Sequence, residues 1–244
     1  MSKFFIEKSQ IKDNKACIVG DDVAHLVKVL RVQTGDKLLL CDGDGTDFET
    51  KVSSVSKEQV VVDILDSHPS QTEPTTEVTL YQGLPKQGKM EWIIEKCTEM
   101  GISRIVPVQM ERSVVRLSAE QAEKKQQRWA KTAEAAAKQC GRGKIPEVCV
   151  PVALSSLKRE ALPEFLLLPY EAEKSHTMQE ALQENRAKSV GIFIGPEGGF
   201  AEKEVLFLQE LGAKCVTLGP RILRTETAGL AALTILLYEW GDLS

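Results

Sequence analysis

Two stretches near the C-terminus combine bare main chain with charge. Residues 195–200 read GPEGGF, and residues 218–233 read LGPRILRTETAGLAAL. Gly195, Gly198 and Gly199 carry no side chain, so N–H and C=O groups there can come close to a ligand. Pro196 and Pro220 fix φ and stiffen both turns. Glu197, Arg224 and Glu226 stand beside them. Rigid loops that offer main-chain donors and acceptors suit the edge of an adenine ring. A carboxylate in such a place can brace a loop, contact the ligand or take a proton. A guanidinium can hold negative charge as it develops, or it can bond loop carbonyls. The common nucleotide signatures are missing. GPEGGF is neither GxGxxG nor GxxxxGK followed by Ser or Thr, so no phosphate cradle is indicated.

These residues need a scaffold, and the pattern after residue 77 supplies one. EVTLYQGL (77–84), RIVPVQM (104–110), FLLLPY (165–170), VGIFIG (190–195) and AKCVTLG (213–219) read as strands. KMEWIIEKCTEMG (89–101), the run from 119 to 141, segments near 175–185 and 201–211, and TETAGLAALTILLYEW (225–240) read as helices. Strands that alternate with helices and are apolar almost throughout predict an α/β fold, with a parallel sheet covered on both faces. Ligands in such sheets bind outside the carboxyl ends of the strands. Three strand ends carry the unusual residues: LPYE (168–171), GPEGG (195–199) and LGPRILR (218–224). In the closing helix Leu230, Leu233, Leu236 and Leu237 form one stripe, extended by Ala231, Ile235 and Trp240. That stripe fits either core packing or a dimer interface.

The first part of the chain has a different rhythm. KLLLCDGDGTDFETKV holds two strand-like runs around DGDG, a hairpin signal, and QVVVDIL follows as a further strand. AHLVKVLRV (24–32) reads as a short amphipathic helix with His25, Lys28 and Arg31 on its polar side. HPSQTEPTTE (68–77) has two prolines and no large apolar residue, and reads as a linker. The chain is therefore expected to hold a small β-barrel-like domain over 1–70 and an α/β domain over 71–244.

Composition narrows the chemistry. The 244 residues are 42% hydrophobic and 27% charged, which suits a soluble, packed protein. No apolar run approaches the roughly 18 residues of a membrane span, and MSKFFIEKSQ is no secretory signal, so a cytoplasmic protein is expected. Six cysteines and three histidines show no zinc-type spacing, and no metal is expected. The net charge of −4 argues against global attraction to nucleic acid. Residues 101–145, however, hold ten Lys/Arg against four Glu. That excess fits a solvated helix face with i,i+4 pairs or a phosphate-contacting patch.

GPEGGF followed by LGPRILRTETA resembles the SPOUT class of S-adenosylmethionine-dependent RNA methyltransferases. More narrowly, it resembles the RsmE family, which methylates N-3 of a uridine in small-subunit (16S) ribosomal RNA. The resemblance spans the chain. HLVKVLR is similar to that family's PUA-like RNA-binding domain, and KMEWIIEKCTEMGISRIVPV, ERSVVR and RW…AAAKQCGR…P to its middle. Cys140 stands where serine is expected, and Arg116 where lysine is common. The resemblance implies a C-terminal trefoil knot and a homodimer. It implies that Leu168, Tyr170, Gly195, Pro196, Glu197, Gly198, Gly199, Leu218, Gly219, Ile222, Leu223 and Arg224 surround S-adenosylmethionine. His25, Lys28, Arg31, Lys86, Arg112, Arg116 and Arg142 are then expected at the RNA phosphates. Uracil N-3 carries a proton at neutral pH. Arg224 is the first candidate to hold the ring charge left when that proton departs, and Glu197 and Glu226 are candidate proton acceptors.

Overall fold

Apolar residues at every second position, such as Leu38 and Leu40 or Val60 and Val62, turn one face of a small sheet inward. In the computed structural model, which describes residues 3–86 and 88–243, that sheet is made of β1 (Lys3–Phe5), β2 (Ile11–Lys12), β3 (Lys15–Val19), β4 (Lys37–Cys41), β5 (Thr46–Val55) and β6 (Gln59–Pro69). Its order is β1-β4-β5-β6-β3-β2. The β1–β4 pair is parallel and the others are antiparallel. The DGDG turn closes the β4–β5 hairpin. Asp42 Oδ1 accepts the N–H groups of Asp44 and Thr46, both at 2.9 Å, and Gly43 and Gly45 take positive φ. Phe4, Ile18, Leu26 and Leu40 fill the core.

The expected helix over 24–32 is shorter and differently wound. One α-turn, α1 (Asp21–Ala24), passes into a π-type turn over His25–Val29, in which Leu30 N–H reaches His25 O at 3.0 Å. Arg31 lies beyond it with φ 53°, so it leaves the helix instead of sharing its polar side.

The chain forms two compact units, and they are not two contiguous stretches. Met1–Glu73 is joined by Ala137–Ile145, and Pro74–Ala136 by Pro146–Ser244. The expected linker at 68–77 is instead pinned at several points. His68 and Pro69 belong to β6, Glu73 is ion-paired within the first unit, and Thr75 and Thr76 donate to the Asp242 carboxylate within the second. Hydroxyl-rich sequence has here been used for fixed hydrogen bonds, not for freedom.

The second unit is built on β7 (Glu77–Gly83), β8 (Arg104–Gln109), β9 (Glu147–Val148), β10 (Val152–Ala153), β11 (Phe165–Pro169), β12 (Ser189–Ile194) and β13 (Lys214–Val216). All pairs are parallel, in the order β10-β8-β7-β12-β11-β13, with β9 beside β8. Helices α2 (Lys89–Glu99), α3 (Ala119–Cys140), α4 (Met178–Glu184), α5 (Glu202–Glu210) and α6 (Thr225–Glu239) cover it. Val78, Leu80, Ile105, Leu167 and Ile192 pack on one face against residues of α2, α3, α4 and α6. Tyr81, Val106, Leu166, Leu168 and Phe193 pack on the other against Val205 and Leu208 of α5. This is the α/β sheet with both faces buried that the apolar strands predict. No helix among the described residues is long and apolar enough to cross a membrane.

Candidate functional site

The carboxyl ends of β11, β12 and β13 open on a cavity of about 830 Å³ in the second unit. Its wall takes residues from the three loops that follow these strands and from the starts of α2 and α6. The loops after β11 and β12 are held by hydrogen bonds. After β11, Tyr170 N–H donates to Val216 O at 3.0 Å. The Glu173 carboxylate then accepts the Ser175 hydroxyl at 2.6 Å, Ser175 N–H at 2.8 Å and His176 N–H at 3.1 Å. Those donors, the Ser175 hydroxyl first, hold Glu173 down at a pKa of about 2. Thr177 caps α4 in a capping box with Glu180.

The GPEGG turn after β12 is fastened through a buried relay. Gln82 Nε2 donates to Thr225 Oγ1 at 2.8 Å, and Thr225 Oγ1 donates to Gly195 O at 2.6 Å. Gly83 lets this turn approach β7. A Cβ there would lie 2.6 Å from Pro196 N, closer than real Cβ atoms come. Gly199 closes the turn with φ 65° and donates its N–H to Pro196 O at 2.9 Å. Arg112 Nη1 donates to Gly198 O at 2.9 Å, and the buried Glu204 carboxylate accepts Ala201 N–H and Glu111 N–H.

A charge cluster joins the loops. Lys89 Nζ lies 3.1 Å from Glu197 Oε1 and 3.0 Å from Glu226 Oε2. Glu197 also accepts the Lys86 N–H at 3.0 Å. Burial pushes the Glu197 carboxyl up. Its own N–H, that of Lys86 and the Lys89 ammonium outweigh burial and leave it below the ordinary value. Glu226 is likewise raised by burial, then held low on balance by its own N–H, Lys89 and Arg224. Lys89 is in turn raised, first by Glu226 and then by Glu197. Both carboxylates are therefore ionised at neutral pH and are weak bases.

Of the expected cofactor residues, Tyr170, Gly195, Pro196, Glu197, Gly199, Leu218, Gly219, Ile222, Leu223 and Arg224 line the cavity. Leu168 and Gly198 do not. Leu168 is fully buried in the core beneath, and Gly198 is turned to Arg112. Arg224 stands at the N-cap of α6, where its C=O accepts Thr227 N–H at 2.9 Å and Ala228 N–H at 2.8 Å. Its guanidinium is exposed and makes no ion pair or loop-carbonyl bond among the described residues. Sequence reasoning passes over Lys89, Glu173, Lys174 and Thr177, which also line the cavity, together with Glu171 of the LPYE strand end.

The expected phosphate contacts divide. His25, Lys28 and Arg31 are exposed in the first unit. Lys86, Arg112 and Arg116 are exposed in the second, and the first two are bonded to the GPEGG turn at Glu197 and Gly198. Arg142 is a correction. It is buried, and its Nη2 lies 2.6 Å from Glu73 Oε2, so it holds the fold together and is not offered to solvent. Much of the positive excess over 101–145 is likewise paired: Lys124 with Glu120, Arg128 with Glu91, Arg104 with Glu147. No group of three or more His, Cys, Asp or Glu able to hold a metal ion occurs among the described residues.

Comparison with known proteins assigns the chain. Residues 71–237 match the family described as RNA methyltransferase domain, and residues 18–65 match the RNA methyltransferase PUA domain. The chain belongs to this RNA methyltransferase family. Ribosomal RNA small subunit methyltransferase E of Bacillus subtilis is 36% identical over 249 residues, covering 98% of this chain and 97% of that relative. The Aquifex aeolicus protein of the same name is 33% identical over 97% of this chain and 99% of its own. A crystal structure of a Neisseria gonorrhoeae ribosomal RNA small subunit methyltransferase E, bound to S-adenosylmethionine, aligns with a TM-score of 0.82 at 30% identity, covering 100% of both chains. The small β-unit thus corresponds to the PUA domain and the parallel sheet to the methyltransferase domain of such proteins.

Proposed function

We propose that the protein transfers a methyl group from S-adenosylmethionine to N-3 of a uridine in 16S ribosomal RNA of the small subunit. The observation that carries this reading is the 830 Å³ cavity walled by main chain at three neighbouring strand ends, in a chain of the RNA methyltransferase family. The wall suits the cofactor. Ile194, Leu218, Leu223 and Ala228 offer apolar surface, Glu171 and Glu173 offer negative charge to a sulfonium or ammonium, and Lys174 and Arg221 offer positive charge to a carboxylate. The bound cofactor supplies an electrophilic methyl carbon; alignment and electrostatics fall to the chain.

In this reading Tyr170, Gly195, Pro196, Gly199, Leu218, Gly219, Ile222 and Leu223 grip the nucleoside, and Leu168 supports the loop from below. Arg224, unpaired at the cavity, holds the negative charge on the uracil oxygens as N-3 gives its proton to solvent. Glu197 and Glu226, tied to Lys89, keep the loop in place instead of accepting that proton. The target base leaves its stack to reach the cavity. Lys86, Arg112 and Arg116 beside the GPEGG turn, and His25, Lys28 and Arg31 on the small unit, meet phosphates. We further read residues 1–70 as the RNA-binding domain and 71–244 as the catalytic domain with a trefoil knot. A second copy of the chain covers the half-buried face of α6, and the protein acts in the cytoplasm.

Calorimetry with S-adenosylmethionine, followed by methylation of small subunits that lack the modification, tests the reading. Absence of cofactor binding, or transfer to a base other than uracil, refutes it.

A further inference from the structure

We propose that a second cavity in the methyltransferase unit receives a nucleobase that flanks the one being methylated. The inference rests on the reading of the chain as an RNA methyltransferase. This cavity measures about 250 Å³, and Leu84, Pro85, Met90, Val115, Leu117 and Trp129 supply its apolar walls. It falls below the roughly 300–1,000 Å³ of sites for drug-sized ligands, so it suits one flat ring better than a whole nucleoside cofactor.

Two lysines give the cavity its charge. Lys86 and Lys125 belong to its lining, and neither makes an ion pair among the described residues. The one carboxylate in the lining, Glu91, is already engaged by Arg128 at 3.1 Å. Lys125 Nζ stands 5.8 Å from the centre of the Trp129 ring. The half-buried Val115 and Leu117, over the buried Trp129, offer apolar surface to the face of a base, and unpaired amines beside them accept the phosphates that accompany it. A purely apolar occupant would leave both amines without a counter-charge.

Position completes the argument. One short segment serves both cavities: Lys86 N–H bonds Glu197, Lys89 lines the cofactor cavity, and Met90 lines the second one. In this proposal a strand whose reacting base enters the first cavity reaches the second with a neighbouring nucleotide. Holding a neighbour there keeps the target splayed out and fixes which nucleotide is presented.

The test fills the cavity. Leu117→Trp, and Val115→Trp should the first fail to fold, are compared with the parent for S-adenosylmethionine affinity by calorimetry and for kcat/KM on small subunits lacking the methyl group. Cofactor affinity should stay within about twofold, since neither residue lines the cofactor cavity, while kcat/KM for RNA falls at least about fivefold. Lys125→Ala should flatten the log–log salt dependence of RNA binding by about 0.7. A short oligouridylate should shift the methyl resonances of Val115 and Leu117 in the parent. Filled variants that keep the parent's kcat/KM overturn the proposal, as does an altered oligomeric state with intact kcat/KM, which would seat a second copy there. A parent that binds cofactor but methylates no subunit sinks the underlying reading instead.

Discussion

Arg224 and Lys89 face the same cavity with different tasks. Arg224 is uncommitted, so its loss should be felt in the transition state. Arg224→Ala is expected to lower methyl transfer by about 10²–10³-fold while cofactor affinity drops only modestly. Single-turnover assays with calorimetry separate the two, and full turnover in the variant would remove Arg224 from the chemistry. Lys89 is fully committed, to Glu197 and Glu226. Both carboxyls lie below their ordinary values, so what they contribute to stability is present above the unfolded-state pKa and is lost as pH falls through the folded one. Lys89→Met leaves two neighbouring carboxylates without their counter-ion, and at least one pKa must rise. Cofactor affinity in that variant should weaken as pH drops from about 7 to 5, where the parent stays flat, and Lys89→Arg should restore the flat profile. Glycine and proline spacing makes the GPEGG and LGPRILR turns legible in the sequence, because those residue types report main-chain geometry directly. Lys89 and Glu173 leave no such mark. Their roles arise from partners more than a hundred residues away or from a local turn whose shape depends on the fold.

At the level of elements, β7 and α6 hold the GPEGG turn between them. Thr225→Val strips the Gly195 carbonyl and the Gln82 amide of a partner in a buried place. It should cost about 1–3 kcal/mol, read as a lower midpoint in chemical denaturation with unchanged slope. Gly83→Ala forces a Cβ against Pro196 and should cost a similar 1–3 kcal/mol, with cofactor affinity falling in parallel. The long apolar strands β7, β8, β11 and β12 and the helices α2, α3 and α6 are plain in the sequence, since their periodicity runs over many residues. The short strands β9 and β10 are obscure, whereas β13 lies inside the expected strand AKCVTLG. Two residues cannot display a period, and only pairing with a neighbour makes β9 and β10 strands. Arg142 shows the reverse failure. An arginine in a basic stretch looks like a phosphate contact until a distant carboxylate claims it.

For the molecule as a whole, α6 leaves a face that its own unit does not finish. Leu233, Leu236 and Leu237 are buried, whereas Tyr238 is 75% exposed and Ile235 only partly covered. If a second copy covers that face, Tyr238→Asp should shift the mass measured by light scattering from dimer toward monomer, with the far-ultraviolet spectrum unchanged. The apolar excess of the closing helix is visible in the sequence; what covers it is not, because both answers demand the same residues.

The small unit borrows Ala137–Ile145 from later in the chain. Within it Arg142 neutralises Glu73, and Gly143 N–H donates to the same carboxylate at 2.8 Å. During synthesis the stretch ending at Glu73 therefore leaves the exit tunnel well before its counter-ion exists. A fragment ending at Glu73 would carry a half-formed ionic lock and should resist purification as a stable piece. Restoring 137–145 by a short fused tether should rescue it. The order of translation thus makes the small β-unit wait for residues 137–145.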